Sequence, residues 1–490
     1  MKKSVIMLLA VTAVAGLTTG CNPTGASGSG ETSDGNVINI RCWNNEFEGR
    51  FKNYYGKIKE DLGNDTFLLN NGKKVKFNIV ANDGNGYQNA LDEALRNQSA
   101  AAADEKVDMF LMEADYALKY SNSDYSLDVK NSVGLTDADL SDMYDYTKTV
   151  VTDTRAGKNN ALKGVSWQAT PGLYAFRNDI AKELWSDYPA DPLNTDTAAV
   201  KAEKTLAQST FVQGKIDTMA KFDAVAAEAK AKNRMMLSGY DDSYRVFSNN
   251  ASKSWVDAST GKVTLDQKYK DWIKSTKEYT DKGYSHKTEL WDTDWAKDQG
   301  PTGNVFGFFY STWGINFTLL GNSLADATGD KAKGNGLYGE YRVCKGPATW
   351  YWGGTWLSAA KGTDNLDDVK DIMKVLTCDS AVAEKITRET EDYTNNKSAM
   401  ERIANDTTYG SAFLGGQNHV KLFKDNAASI SLAPMSAYDQ GCNEGIQKAM
   451  VDYFTGSATY ATCITNFKNT LMGKYAELTS DSFDSSFDTL

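Results

Sequence analysis

The stretch WYWGGTW, residues 350–356, places four large aromatic side chains within seven positions, around a glycine pair. In an unbroken β-strand alternate side chains reach opposite faces, so Trp350, Trp352 and Trp356 would share one face. Glycines leave room for a ligand or a second backbone, and they often mark a bend. Flat apolar rings beside bare backbone suit the face of a sugar ring, whose hydroxyls find polar groups at the rim. The stretch therefore predicts a ligand site, with ordinary core packing as the alternative.

The composition of the whole chain is that of a globular protein. Its 490 residues are 41% hydrophobic and 24% charged, which is material for about two to four domains. The formal net charge is −11 and no basic patch stands out, so nucleic acid is disfavoured as a partner. His286 and His419 lie far apart, which gives poor support to a histidine zinc site or a Ser-His-Asp triad. We therefore assign no catalytic residue, no metal and no cofactor.

The first 21 residues have the layout of an export signal. Two lysines precede a short apolar core over 5–17, which ends in LTTGC at residues 17–21. This resembles the lipobox of bacterial lipoproteins and implies a signal peptide over 1–20 and lipidation at Cys21, on the outer face of the cytoplasmic membrane. A plain secretory signal with an incidental cysteine is the alternative. Residues 21–36, rich in Gly, Ser and Thr, predict a flexible tether, and no later stretch has the apolar continuity of a membrane helix.

Apolar patterning after the tether predicts an α/β domain. Strands are expected over 37–43, 74–80 and 107–112, with helices between them and a first helix over 47–62. Ligands of such parallel sheets lie beyond the carboxyl ends of the strands. The polar and aromatic residues that follow these strands are therefore candidate ligand contacts, although the acids among them also suit a solvated loop. They are Trp43, Asn44, Glu46, Asn82, Glu113 and Asp115.

The segment 164–178 is an extended run broken by Pro171-Gly172 and followed by a helix. Together with the lipobox, the tether and a first strand ending in Trp43, its PGLYxxRND pattern looks like the family 1 extracellular solute-binding proteins. These are ligand-capturing lipoproteins of carbohydrate ABC importers, related to maltose-binding protein. The resemblance implies an α/β, two-lobed (Venus flytrap) fold with discontinuous lobes and a multi-strand hinge. The implied lobes are 37–167 with 341–392, and 168–340 with 393–490.

The resemblance also implies site residues in the second half of the chain. The segment that crosses between the lobes carries Gln168 and Tyr174, and a loop of the second lobe carries Asp241 and Asp242. Trp313 closes a short strand whose tryptophan stacks on sugar in that family. The opening stretch lies where the family has a Gly-Gly near its cleft, and it contributes Trp350, Trp352, Gly353, Gly354 and Trp356.

These features together predict a monomeric binding protein rather than an enzyme. The expected ligand is a sugar, or more specifically an oligosaccharide, held between the lobes and delivered to ABC permease subunits. Two alternatives stay open. A secreted glycoside hydrolase also has a tryptophan-lined cleft and paired carboxylates, whose separation the sequence does not reveal. A lipoprotein that binds peptides or another solute would use the aromatic residues as apolar pockets.

Overall fold

The computed structural model describes residues 35–257, 259–432 and 435–490. The predicted signal peptide over 1–20, the predicted lipidation at Cys21 and most of the predicted tether over 21–36 lie outside the described residues. Within the described residues, none of the helices is long and apolar enough to cross a bilayer.

The described strands are short and fall into separate sheets. In chain order they are β1 (Val37–Cys42), β2 (Ile58–Gly63), β3 (Thr66–Leu69), β4 (Lys74–Ile79), β5 (Met109–Glu113), β6 (Thr152–Asp153), β7 (Ala161–Leu162), β8 (Val165–Ser166), β9 (Gly172–Arg177), β10 (Leu237–Gly239), β11 (Ser285–Thr288), β12 (Gly307–Ser311), β13 (Tyr341–Cys344) and β14 (Thr355–Ala359).

Helices account for most of the remaining regular structure. The α-helices are α1 (Glu46–Tyr54), α2 (Gly86–Asn97), α3 (Ala117–Ser121), α4 (Asp137–Leu140), α5 (Asp145–Thr149), α6 (Asn178–Leu184), α7 (Ala198–Ile216), α8 (Met219–Ala231), α9 (Tyr244–Ser248), α10 (Gln267–Lys282), α11 (Thr293–Asp298), α12 (Leu320–Ser323), α13 (Leu366–Thr377), α14 (Ser380–Thr390), α15 (Lys397–Asn405), α16 (His419–Ser429), α17 (Asp439–Thr455) and α18 (Tyr460–Lys474). A π-helical turn, Ile315–Leu319, leads into α12.

The larger sheet has the strand order β2-β3-β4-β1-β5-β14-β8. Strand β1 runs parallel to β4 and β5, as the order of predicted strands and helices indicates. Strand β14 lies antiparallel beside β5. The carboxyl ends of β1 and β5 therefore meet the start of β14 at one edge. The predicted helix over 47–62 is wrong in its second half, because Gly56 adopts a positive φ of 72° after α1. The chain then enters the edge strand β2.

The second sheet is built around β9, which pairs antiparallel with β12 on one side and β13 on the other. Strands β10 and β11 form a parallel pair beside it, bridged at Met235 and Val305. Helices α7 and α8 pack against the second sheet, and we call this part of the chain the second lobe. Thr218 caps α8 by accepting from the backbone N–H of Lys221. Since β13 pairs with β9, residues 341–344 lie in the second sheet, whereas the sequence analysis assigned them to the first lobe. The remaining lobe boundaries stay a prediction.

Three stretches of chain run side by side between the two sheets. The stretch that follows β8 is hydrogen-bonded to the stretch before α15. Asn395 N donates to Trp167 O over 2.7 Å, and Ala169 N donates to Tyr393 O over 3.0 Å. On its other side, Gly172 N donates to Trp350 O over 2.7 Å. These backbone bonds form a three-stretch hinge made of residues 167–172, 345–354 and 391–396. The hinge joins residues 167–172 to two stretches that lie more than 170 positions further along the chain.

Candidate functional site

A cavity of about 500 Å³ opens at the edge of the larger sheet, against the hinge. We call it the first chamber. The ends of β1 and β5, the start of β14 and two segments of the second lobe contribute its walls. The lining residues are Trp43, Asn44, Glu46, Arg50, Glu113, Gln168, Trp291, Trp313, Asn316, Phe317, Trp352, Gly353, Gly354, Thr355 and Asp392. Nine of the sequence-derived candidates are therefore brought together here.

Tryptophan rings form one wall of the first chamber. The indole of Trp313 donates from Nε1 to the carbonyl oxygen of Trp352 over 2.9 Å, which fixes its orientation against the hinge. The Trp313 and Trp352 rings meet edge to face with centroids 5.2 Å apart. Trp291 stacks on Trp313 at 6.3 Å and 20°. Such an array presents apolar faces and edges of the kind that stack on sugar C–H groups.

Two aromatic residues of this wall are unusually exposed. The side chain of Trp291 is 54% exposed and that of Phe317 is 74% exposed. Trp291 also adopts a positive φ of 74°, a conformation that is strained for a bulky residue. Strained and exposed aromatic residues are costly for an isolated fold, so they point to a functional surface. Neither residue is among the sequence-derived candidates, since the stretch around Trp291 has no periodicity that separates a site from packing.

The floor of the first chamber is a hydrogen-bonded network of carboxylates. The amide of Gln168 donates from Nε2 to Glu46 Oε1 and to Asp392 Oδ2, at 2.9 Å each. Arg50 donates to the same Asp392 oxygen over 3.2 Å. Asp392 is only 4% exposed, and its Oδ1 finds no hydrogen-bond partner among the described residues. A buried acceptor of this kind has the capacity to accept a hydrogen bond from a ligand hydroxyl.

Two carboxyl groups in the chamber are electrostatically disfavoured as anions. Burial, with a smaller contribution from the Asp392 charge, raises the pKa of Glu46 to about 7. Burial, with a smaller contribution from Asp115, raises the pKa of Glu113 to about 8. Desolvation favours the neutral form of a carboxyl, and a nearby like charge acts in the same direction. A ligand hydroxyl that donates to either group would add to the hydrogen bonds that Glu46 accepts from Gln168 and Glu113 accepts from the backbone of Asp115.

The glycine pair of the opening stretch gives the first chamber its shape. Gly353 and Gly354 have φ values of 74° and 106°, which only glycine adopts readily. A Cβ on Gly353 would lie 3.2 Å from Trp313 Nε1, so the glycine allows the indole to approach the backbone. These two residues also interrupt the strand, and β14 begins only at Thr355. The expectation that three tryptophans share one strand face is therefore wrong.

A second cavity, of about 510 Å³, lies on the other side of Trp291 and Trp352, and we call it the second chamber. Among the described lining residues, the two chambers share these two tryptophans. Four further sequence-derived candidates line it: Asp115, Asp241, Asp242 and Trp350. Its other lining residues are Arg245, Glu289, Leu290, Asn443, Glu444, Gln447, Lys448 and Val451. The candidates therefore divide between two adjoining spaces rather than lining one.

Three candidates line neither chamber. Tyr174 is fully buried in the second sheet, where its hydroxyl donates to Met236 O over 3.0 Å. Trp356 is packed in the first lobe, and its Nε1 donates to Thr147 O over 2.7 Å. Asn82 accepts a long hydrogen bond from Gln88 N at the entry to α2. For Trp356 the cause is the glycine pair, because its break in the strand separates this indole from Trp352.

Several lining residues carried no sequence signal of their own. Arg50 lies one helical turn after Glu46, a spacing at which charged side chains meet, but its ion pair with Asp392 joins positions 342 apart in the chain. Asn316 donates to Thr390 O over 3.1 Å, just before the third stretch of the hinge. Both contacts depend on the tertiary fold. In the described part of the chain, no cluster of three or more His, Cys, Asp or Glu side chains is arranged to hold a metal ion.

Comparisons with known proteins show which solved structures share this fold. No family model matches the chain, and no curated protein matches it. Solved structures do match over most of its length. An extracellular solute-binding protein family 1 structure aligns with 14% identity and a TM-score of 0.62, covering 89% of this chain and 99% of that one. The ABC transporter associated binding protein from B. animalis subsp. lactis Bl-04, in complex with β-1,6-galactobiose, aligns with 16% identity and a TM-score of 0.60, covering 92% and 99%.

A third match is the GacH receptor of Streptomyces glaucescens GLA.O, solved without ligand and with acarbose. It has 14% identity and a TM-score of 0.59, and the alignment covers 91% of this chain and 100% of the receptor. These structural alignments, with TM-scores of 0.59 to 0.62, establish the fold. The chain has the two-lobed α/β fold of the family 1 extracellular solute-binding proteins, as the sequence predicted. The matched structures are binding proteins.

Proposed function

We propose that this protein captures a sugar between its two lobes and delivers it to the permease subunits of an ABC importer. The observation that carries the proposal is the first chamber, where a tryptophan wall faces a floor of carboxylates. Indole faces stack on the C–H faces of a pyranose, while carboxylates accept hydrogen bonds from its hydroxyls. The matched proteins with β-1,6-galactobiose and acarbose bound support the same ligand class.

The position of the chamber suits capture by closure. Glu46 and Glu113 lie on the first lobe, Trp291 and Trp313 on the second, and Gln168 in the hinge between them. A ligand that contacts all three regions favours the form in which they meet, since it binds that form better. No covalent step is required of any residue. The protein would act as a monomer, because one chain provides every wall.

Calorimetry over a panel of mono- and oligosaccharides tests this proposal. The panel is glucose, galactose, maltose, maltotriose, cellobiose, cellotriose and β-1,6-galactobiose, with short peptides as the competing ligand class. We expect micromolar or tighter binding of at least one sugar. The variant Gln168→Leu should weaken that binding, because it leaves the Glu46 and Asp392 carboxylates without their shared donor. Peptide binding in the absence of sugar binding would contradict the proposal.

A second candidate function, glycoside hydrolysis, follows from the Glu46 and Asp392 carboxylates. Both accept from one nitrogen of Gln168 at 2.9 Å, so the two accepting oxygens are no more than twice that distance apart. Retaining glycosidases place their carboxyl groups about 5–5.5 Å apart. We favour binding, because the Gln168 and Arg50 donors already engage these acids. The two functions are distinguished by incubating an oligosaccharide ligand with the wild type and with Glu46→Gln and analysing the products. Hydrolysis products from the wild type alone would support the hydrolase.

We also propose that Cys21 anchors the protein by lipidation on the outer face of the cytoplasmic membrane, as its lipobox-like context implies. The variant Cys21→Ser should release the protein into the medium, and metabolic labelling with a palmitate analogue should label the wild type alone. Retention of Cys21→Ser in the membrane fraction would contradict the anchor. The binding proposal does not depend on this outcome.

A further inference from the structure

A third cavity, of about 350 Å³, lies beside strand β13 and the start of helix α7. Its walls come from residues 191–194, the first turn of α7, residues 338–342 and residues 408–416, with one lysine from the loop before β13. None of its described lining residues lines the first or the second chamber. Its volume falls in the range of small-molecule sites, and the function proposed above does not use it.

One wall of the third cavity carries a buried cation without a carboxylate partner. Arg342 is 2% exposed. Its Nε donates to the side-chain oxygen of Gln208 over 2.8 Å, and its Nη1 donates to the carbonyl oxygens of Gly339 and Tyr341 over 2.9 and 2.7 Å. These acceptors, its hydrogen-bond partners among the described residues, are all neutral and leave Nη2 for a ligand. Since a buried charge is costly unless it is paired, the free nitrogen indicates an anionic partner.

Two lysines add positive charge to the same cavity. Lys201 and Lys333 both line it, and neither forms an ion pair in the described part of the chain. An added Cβ on Gly415 would lie 2.5 Å from Arg342 Nη1, and one on Gly416 would lie 2.9 Å from Lys201 Cβ. Two consecutive glycines therefore contact the arginine and the lysine, and they hold both cations at one wall.

The acidic residues that line the third cavity already have a cation of their own. Asp191 accepts from Lys182 Nζ over 2.7 Å, and from the amides of Asn178 and Gln208 over 2.8 and 2.9 Å. Glu340 accepts from Asn178 over 3.2 Å, and it lies 3.8 Å from Lys182 Nζ. The two acids therefore share a lysine outside the cavity, which leaves the three cations inside it for a ligand.

The start of helix α7 favours an anion as well. Ala198 is its first residue and lines the cavity, and its first turn carries no acidic residue. The cap Thr197 accepts from the backbone N–H of Val200, and the first N–H groups of a helix have no acceptor within it. Asp196, just before the cap, is held by Lys204 over 2.8 Å. The positive end of the helix dipole therefore adds to the three cations.

The remaining surface of the third cavity is largely apolar. Pro192, Leu193, Tyr338 and Ala412 line it, and Leu193 is 59% exposed. These side chains offer contact to carbon atoms and give no hydrogen-bond partner to a bare ion, apart from the tyrosine hydroxyl. The combination of one cationic wall with apolar walls suits a small molecule that has an anionic group at one end.

We propose that the third cavity binds an organic anion, a small molecule with a carboxylate or phosphate group on an apolar body. The anionic group is held by Arg342 Nη2, Lys201 and the first turn of α7, and the body lies against Leu193 and Tyr338. Carboxylate and phosphate oxygens both accept charge-assisted hydrogen bonds from guanidinium and ammonium groups. This site is independent of the proposed sugar site, because the cavities share no described lining residue.

Calorimetry with phenyl phosphate, benzoate and benzyl alcohol tests the proposal, at low ionic strength because salt screens such pairs. We expect at least one of the two anions to bind with a dissociation constant below about 1 mM, and the neutral alcohol not to bind. Ala412 is exposed and lines the cavity. The variant Ala412→Glu should place a carboxylate among the cations and weaken anion binding by about tenfold or more. Ala412→Gln has the same length without the charge and should keep the wild-type affinity.

A second pair of variants lies on α7, with Lys201 in its first turn and Lys215 in its last. Lys201→Gln should weaken anion binding severalfold, whereas Lys215→Gln should behave as wild type. Sugar affinity should be unchanged in all four variants. The proposal is overturned if neither anion binds, if benzyl alcohol binds as tightly as the anions, or if the two Ala412 variants bind alike. Failure of every sugar with intact anion binding would remove the proposed function and leave this site standing.

Discussion

Replacing Trp291 by alanine tests the aromatic wall of the first chamber at a modest cost to folding. The indole is 54% exposed, so its removal forfeits only part of the ~3–5 kcal/mol that a core Trp→Ala change costs. Trp291 has a positive φ of 74°. This conformation is strained for any residue with a Cβ, so the substitution by alanine does not relieve the strain. We therefore expect a stability loss of about 1–2 kcal/mol. In contrast, loss of a stacking tryptophan in a binding site costs about 2 kcal/mol or more.

That affinity loss corresponds to roughly 30-fold, since 1.4 kcal/mol is a factor of ten. The assay is calorimetry with the tightest sugar of the panel, beside thermal unfolding of the ligand-free protein. Trp291→Phe should recover part of the affinity because it restores a ring. Leu193→Ala is the matched control, since Leu193 is 59% exposed and lines neither chamber. A dissociation constant for Trp291→Ala within twofold of wild type would refute the assignment of this wall to the ligand.

Three further predictions concern a core tryptophan, the Glu113 carboxyl and the interlobe ion pair. Trp356→Ala should lower the melting temperature, with a loss of about 3–5 kcal/mol, and leave sugar affinity unchanged; a large affinity loss without destabilisation would contradict its place in the core. Burial raises the pKa of Glu113 from 4.5 to about 8, so the contribution of this group to stability is full below about pH 4.5 and is lost as the pH rises through 8. The variant Glu113→Gln should therefore show a smaller fall in melting temperature between pH 4.5 and 8. The same pH profile for the variant and the wild type would contradict this prediction. Arg245→Met should break the interlobe ion pair with Asp115 and increase the radius of gyration of the ligand-free protein in small-angle scattering. Identical scattering curves for the variant and the wild type would exclude a role of this ion pair in holding the lobes together.

The sheet edge was accessible from sequence because its signals are local. Alternation over a few residues indicates β1 and β4, and a short continuous apolar run indicates β5; the residue that follows each strand is then placed by geometry. Trp43, Glu46 and Glu113 therefore lie at the chamber as expected. The same local reasoning fails at Trp356, because it assumes that the strand is unbroken. Two glycines in left-handed backbone conformations turn the chain between Trp352 and Trp356, and nothing in the alternation pattern reveals that turn.

Other parts of the site depend on contacts between distant segments. Asp392 becomes a floor residue only because Gln168, 224 positions away, donates to it, and because Arg50 reaches it across the first lobe. Trp291 lies in a stretch without periodicity, so its exposed and strained conformation is visible only in three dimensions. The division into two chambers has the same origin. It follows from Trp352, Arg245 and Asp115, which come from the hinge, the second lobe and the first lobe.

The hinge explains why capture and closure would be one event in this protein. Gln168 belongs to a backbone stretch that is hydrogen-bonded to both other hinge stretches, and its amide holds the two floor carboxylates. A sugar that donates to Asp392 therefore contacts the hinge itself rather than one lobe. The same sugar meets Trp291 and Trp313, which the second lobe carries. In the proposed function these contacts exist together only when the lobes approach, so their free energy would favour a closed form over an open one.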